Sequence, residues 1–183
     1  MSQARISIPH ELFAPAESFS FKGTYGLPSL KSGSDLYEFA QELAWDITVS
    51  NTGDALLVVG CVEGVARTAC ARCLEGFELE LTGEIEGYYL ICEESLPPEG
   101  MDSDEFELLP KDNVIDLSPM IKAALLLELP LIPLCDPDCK GLCPLCGQDR
   151  NIEACSCRLD AVSEEADGEA SPFAVLKDFP FED

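Results

Sequence analysis

The chain has 183 residues, 46% of them hydrophobic, which suffices for one sizeable core with a small appendage and excludes several full domains. Its 35 acidic residues against 11 basic ones give a formal charge of -24, a field that repels phosphate backbones and argues against an autonomous nucleic-acid binder. The same sign suits a basic protein partner. The opening residues carry no basic segment followed by an apolar stretch, so no secretory signal is expected. The longest apolar run, residues 123–134, is broken by Glu128, Pro130 and Pro133, so no membrane span is expected either. Ten cysteines in such a chain point to a reducing compartment, the cytoplasm by default, where paired thiols hold metal more often than they form disulfides.

Taken in order, the chain starts loosely and then alternates Phe19, Phe21 and Gly23 with polar neighbours over residues 18–25, predicting a half-buried strand. Residues 26–34, with Pro28, Gly33 and serines, read as turns. Residues 36–45 are ambiguous, because Leu36, Phe39, Ala40 and Leu43 stand at helical spacing. Residues 46–50 are rich in β-branched side chains and lead through Asn51-Thr52-Gly53-Asp54, a hairpin signal, into a buried strand from Ala55. That strand continues to Ala69, with Gly60 and Gly64 as candidate bulges. Residues 77–90 alternate Phe77, Leu79, Leu81, Ile85 and Tyr89 with acidic neighbours, with Gly83 and Gly87 as candidate kinks; one face of this meander should be solvated and acidic.

Residues 93–107 carry seven carboxylates, two adjacent prolines and Gly100, the composition of a solvated loop or of a docking loop for a basic partner. A short strand at residues 114–116 precedes Ser118, a candidate N-cap, and Pro119 at the first helical position. The helix should run to about Glu128, bury Ile121, Leu125 and Leu129, and end at Pro130. After the cysteine tract an acidic stretch, residues 160–169, reads as a linker, and residues 171–179 (SPFAVLKDF) as a short apolar segment that covers exposed core. The expected fold is α+β: an antiparallel sheet, meander or partial barrel, with one packed helix over residues 1–134, an all-cysteine zinc ribbon over 135–158, and a linker with a docking segment over 159–183.

The chemistry concentrates in the cysteines. Zinc takes four ligands in a tetrahedron, and thiolates three apart on a tight turn converge on one ion. Cys143-Pro-Leu-Cys146-Gly147 fits that turn, with glycine where positive φ relieves strain, and Cys155 and Cys157 close the set across an eight-residue loop. Cys70, Cys73, Cys135 and Cys139 make a second set that would fasten a turn of the sheet to the exit of the helix. The spacing alone also allows one site built from Cys135 or Cys139 with Cys143, Cys146 and one of the last two. Cys61 and Cys92 stand in apolar strand text and read as buried thiols.

Arg72, Lys140, Arg150 and Arg158 lie within or beside these motifs, where they offset the charge of a tetrathiolate or form a small basic patch for RNA. A catalytic zinc keeps an open position and commonly uses histidine or carboxylate, whereas the one histidine, His10, has no metal-ligand spacing. Closed structural sites and no catalytic residues are therefore expected; a thiol redox role for Cys70 and Cys73 is the enzymatic alternative.

Three stretches resemble the YceD-like family, the large ribosomal RNA subunit accumulation proteins. They are residues 68–81 (TACARCLEGFELEL), residues 127–151 (LELPLIPLCDPDCKGLCPLCGQDRN) and residues 171–179. The resemblance implies a role in synthesis, processing or stability of large-subunit ribosomal RNA, without an established enzymatic activity. Some members lack counterparts of the Cys143 to Cys157 set while keeping those of Cys70, Cys73 and Cys139, which implies two separable metal sites. The expectation is a cytoplasmic, non-enzymatic factor holding two zinc ions, or one at least. It would bind a basic ribosomal protein or processing factor through Glu78, Glu80, Glu84, Glu86, Asp102, Asp104 and Glu105. Direct RNA binding by the zinc ribbon is the main alternative.

Overall fold

The computed structural model describes residues 4–157 apart from 93, 94, 96, 99 and 104. In chain order its elements are β1 (Arg5–Ser7), a 3-10 turn (His10–Phe13), β2 (Ser18–Tyr25), β3 (Ser29–Ser32), β4 (Asp35–Glu38), β5 (Leu43–Asn51), β6 (Ala55–Ala69), β7 (Gly76–Leu90), β8 (Glu107–Leu108), β9 (Val114–Asp116) and α1 (Ser118–Glu128). The fold is a mostly antiparallel, open sheet with one helix, as the α+β reading anticipates.

The long hairpin β6–β7 is its spine. Pairing runs without a break from Ala55↔Leu90 to Ala69↔Gly76, and successive side chains point to opposite faces over the full length. β5 pairs with the first part of β6, from Asn51↔Leu56 to Ala44↔Glu63, and β2 lies outside β5. Farther along the same edge of β6, the β3–β4 hairpin joins at Glu38↔Arg67. On the other edge β8 runs parallel to β7. A separate two-stranded pair, β1 with β9, leads into α1.

The alternation sorts the side chains. Ile47 and Val49 of β5, Leu56, Val58 and Val62 of β6, and Leu81 and Ile85 of β7 point inward into one core with Ile121, Ala124 and Leu125 of α1, which lies chiefly against β7. Each such side chain contributes about 1.5–3 kcal/mol by leaving water. α1 can lie this close because β7 has no side chain where they cross: a Cβ at Gly83 would sit 2.7 Å from the carbonyl carbon of Ala124. The opposite face is open. Glu78, Glu80, Glu84 and Glu86 are all exposed on it, in keeping with the acidic alternation.

Several expectations need correction. Part of the turn-rich passage is β3, closed onto β4 through Gly33 at φ 59, and the helically spaced stretch is the end of β4 and the start of β5. Cross-strand pairing and burial override the spacing there, because Tyr37, Leu43 and Trp45 each gain a buried site only on alternate positions. Gly60 and Gly64 are not bulges, since the register is continuous through both; Gly83 and Gly87, also within continuous pairing, face Ala124 and Met120 of α1. The loose start contains β1. The pairing of β7 with β8 is parallel. Ser118 opens the helix rather than capping it: Leu117 is the N-cap and makes no side-chain cap bond, while Asp116 accepts the Ser118 amide at 2.9 Å. Cys61 is half-buried on the open face and Cys92 is exposed beyond the end of β7, so neither is a core thiol. Asp104, Arg158 and the segment 171–179 lie outside the described residues.

Asp116 is the polar start signal for α1. Burial pushes its carboxyl up, but the Ser118 hydroxyl and amide and the Arg5 guanidinium outweigh that and hold it below its ordinary value of 3.8. A carboxylate favoured by the fold adds stability above its unfolded pKa and loses it as pH falls through the lower folded value. Asp116→Ala is expected to cost about 1 kcal/mol at neutral pH, and the deficit should be smaller at a pH below the ordinary 3.8, where the carboxylate takes up its proton. Urea denaturation of both chains at the two pH values checks this.

Candidate metal centres

Two turns of the same shape carry the first thiols of each set. In Cys70-Ala-Arg-Cys73-Leu74 the Leu74 amide donates to the Cys70 carbonyl at 2.9 Å; in Cys143-Pro-Leu-Cys146-Gly147 the Gly147 amide donates to the Cys143 carbonyl at 2.8 Å. The fifth residue is left-handed in both, Gly147 at φ 75 and Leu74 at φ 65. Glycine takes that conformation freely, whereas leucine is strained there. The first turn is also the β6–β7 connection, closed by the Cys70 amide on the Glu75 carbonyl at 2.9 Å.

The first set assembles where the chain leaves α1. Pro130 turns it back, the Pro133 carbonyl accepts the Ala71 amide at 2.8 Å, and Leu134 packs with Phe77 against buried Cys70, Cys73 and Cys139. The Sγ atoms of Cys70 and Cys139 are 3.8 Å apart and those of Cys73 and Cys135 3.6 Å. These are thiols rather than disulfides. An ion with four sulfurs at about 2.3 Å requires sulfur–sulfur edges of about 3.8 Å, so the spacing suits a tetrahedral thiolate site.

The second set closes the ribbon. Leu142 bridges to Asp149, and the Cys143 amide donates to the Gln148 carbonyl at 2.8 Å, folding the loop so that Cys155 and Cys157 meet Cys143 and Cys146. In each tetrad the four Sγ atoms lie within 4.8 Å of one another. The structure thus brings together the eight cysteines in the two groups that the sequence suggested, and each group can hold a metal ion.

Electrostatics differ from one sulfur to the next. Burial pushes the Cys70 thiol up, but amides at Cys135, Cys73 and Arg72 more than offset it and hold it at about 6. Cys143 is likewise held at about 6, by the amides of Cys146 and Leu145. Cys135 is pushed up to about 12 by its hydrogen bond to Cys73, and Cys157 to about 12 by its bond to Cys146. Each tetrad therefore combines a stabilised thiolate with a neighbour that retains its proton, a negative cluster whose shared protons a cation replaces.

Arg72 joins the two halves. Its amide donates to Cys70 Sγ at 3.4 Å and its guanidinium to the Cys139 carbonyl at 2.8 Å, while its own carbonyl accepts the Leu142 amide at 3.0 Å. Gly141, at φ 66, allows the approach, since a Cβ there would lie 2.8 Å from the Arg72 oxygen. Sequence reasoning placed Arg72 beside the metal but missed this weld, and it missed Asn151, which donates to Cys139 Sγ at 3.3 Å. Leu74 was legible by its place opposite Gly147 in the repeated turn; nothing in a polar loop marks Asn151.

A family model described as Large ribosomal RNA subunit accumulation protein YceD matches residues 58–180, a span that holds both tetrads. The chain belongs to the YceD family. Uncharacterized proteins of Mycobacterium bovis and Mycobacterium tuberculosis are each 34% identical to it over 139 residues, covering 73% of this chain and 64% of theirs. One from Mycobacterium leprae is 26% identical over 116 residues, covering 63% of this chain and 52% of its own. The chain thus spans less than two thirds of the length of these relatives. No solved structure matches it. The YceD description names an accumulation factor rather than an enzyme. Among the described residues no helix is long and apolar enough to cross a membrane.

Proposed function

We propose that this YceD-family chain supports accumulation of the large ribosomal RNA subunit as a non-catalytic docking factor. Its acidic sheet face binds a basic ribosomal protein or processing factor, and zinc in each tetrad braces the end of the sheet and the ribbon. The reading rests on strand register. Glu78, Glu80, Glu84 and Glu86 of β7 share the open face with Glu63 of β6 and Asp46 of β5, around exposed Val59 and Val65. On that face Lys22 of β2 is tied to Asp46 at 2.6 Å, and Arg67 of β6 and Lys31 of β3 add bases near the end where β4 joins. An apolar centre rimmed by carboxylates suits a basic, partly apolar surface.

The acidic loop extends the same patch. Glu105 and Glu107 line a cavity of about 130 Å³ together with Glu86, Tyr88 and Met120, and Asp102 is exposed beside them. Glu80→Lys with Glu84→Lys should abolish capture of basic proteins from lysate, and raising salt should release them from the unmodified chain. Binding of naked ribosomal RNA that survives removal of all protein partners would overturn the reading.

One observation favours direct RNA contact instead. Lys140 and Arg150 line a single cleft of about 290 Å³ with Cys143, Cys155 and Cys157, and neither is ion-paired among the described residues. Under that reading Lys140→Ala with Arg150→Ala abolishes RNA association; under the docking reading it leaves protein capture intact.

A further inference from the structure

Asn151 belongs by sequence to one tetrad and by contact to the other. It sits in the loop between Cys146 and Cys155, the loop that metal in the ribbon tetrad would close. Its Nδ2 donates to Cys139 Sγ at 3.3 Å, while its Oδ1 accepts the Lys140 amide at 2.7 Å. The orientation of the side chain is fixed on both sides. A backbone amide can only donate, so Oδ1 must face Lys140; Asp149 Oδ1 can only accept, so Nδ2 must face it, at 2.8 Å. The Asn151 amide also donates to Asp149 Oδ1 at 2.8 Å, and the Arg150 amide to the Gly141 carbonyl at 3.0 Å.

An N–H aimed at a thiolate lowers the cost of its charge and orients its lone pairs, and losing such a partner typically weakens metal binding about 10–100-fold. We infer that Asn151 is a positioning residue that couples the two tetrads, so that metal in the Cys143, Cys146, Cys155 and Cys157 set tightens binding at Cys70, Cys73, Cys135 and Cys139. The inference rests on the proposal that both tetrads hold metal. Closing the ribbon holds Asn151 against Cys139; opening it releases the donor and leaves the buried sulfur short of a hydrogen bond. Linkage makes the effect reciprocal.

The test is zinc affinity of the full reduced chain, measured by competition with a chelator. Cys155→Ser with Cys157→Ser removes the ribbon site, and neither residue belongs to the buried clusters, so the sheet is retained; circular dichroism checks this. The ion that remains should bind about tenfold or more weaker than the corresponding ion of the unmodified chain. Asn151→Ala should weaken that same ion about tenfold in the unmodified chain and change it less than about twofold in the ribbon-site variant. Asn151→Asp loses the donor and sets a carboxylate oxygen against Cys139 Sγ and Asp149 Oδ1, so it should weaken that ion at least as much as Asn151→Ala. Equal affinity with and without the ribbon site, or an Asn151→Ala effect of the same size in both backgrounds, overturns the coupling while leaving two metal sites standing. Fewer than two ions in the unmodified chain removes both proposals.

Discussion

Cys139→Ser is expected to cost the chain one metal ion and to lower its melting temperature by about 10 °C or more. A serine hydroxyl is a poor zinc ligand, and the cysteine it replaces is 4% exposed, with Cys70 Sγ at 3.8 Å and the Asn151 side-chain Nδ2 at 3.3 Å from its sulfur. An ion present at a thousandfold above its dissociation constant stabilises the folded state by about 4 kcal/mol, all of it lost with the site. The loss should be mechanical as well as energetic, since the tetrad ties the exit of α1 to the end of the β6–β7 hairpin. Cys61→Ser and Cys92→Ser, outside both tetrads, should leave metal content and melting temperature nearly unchanged. Thermal unfolding with metal analysis of the same samples reads both effects.

The second large effect belongs to the sheet core and needs no metal. Gly83→Val would place a Cβ 2.7 Å from the Ala124 carbonyl carbon and 2.9 Å from its oxygen, with branching methyls beyond it. Backbone cannot rotate away as a side-chain tip can, so α1 must lift from β7 and partly expose Ile121 and Leu125. The expected cost is about 3 kcal/mol, at the upper end for overpacking, measured as a lower urea midpoint. The helix-to-sheet contact and the tetrads are separate supports. Metal content in Gly83→Val should therefore stay at the level of the unmodified chain while the folded fraction persists.

The parts of the molecule that follow a simple period were legible in the sequence. Phe77 to Tyr89 alternates with carboxylates, and the structure buries Leu81, Ile85 and Tyr89 while exposing Glu78, Glu80, Glu84 and Glu86. Pro119 and Pro130 bracket α1 for covalent reasons that no tertiary contact changes. The Cys-x-x-Cys turns and the ribbon set were legible because metal-ligand spacing within a short stretch is a local geometric constraint, whereas the union of Cys70 and Cys73 with Cys135 and Cys139 was one of the alternatives that spacing left open. What escaped depends on partners distant in the chain. The stretch with Tyr37 and Leu43 shows helical spacing, and only pairing with β3, β6 and β2 decides for strand. The close approach at Gly83 looks in sequence like a kink, because the reason for it lies on α1. Cys92 follows an apolar strand, but the strand ends at Leu90, so the thiol falls in solvent.

The brace formed by the two tetrads is the central claim, and the metal content of the full chain, purified under reducing conditions without added chelator, tests it most directly. Two tetrahedral all-thiolate sets predict about two zinc ions per chain, released together with eight titratable thiols on treatment with strong chelator. A chain that retains its sheet by circular dichroism with no bound metal, or with one ion and four freely reactive tetrad thiols, would contradict it.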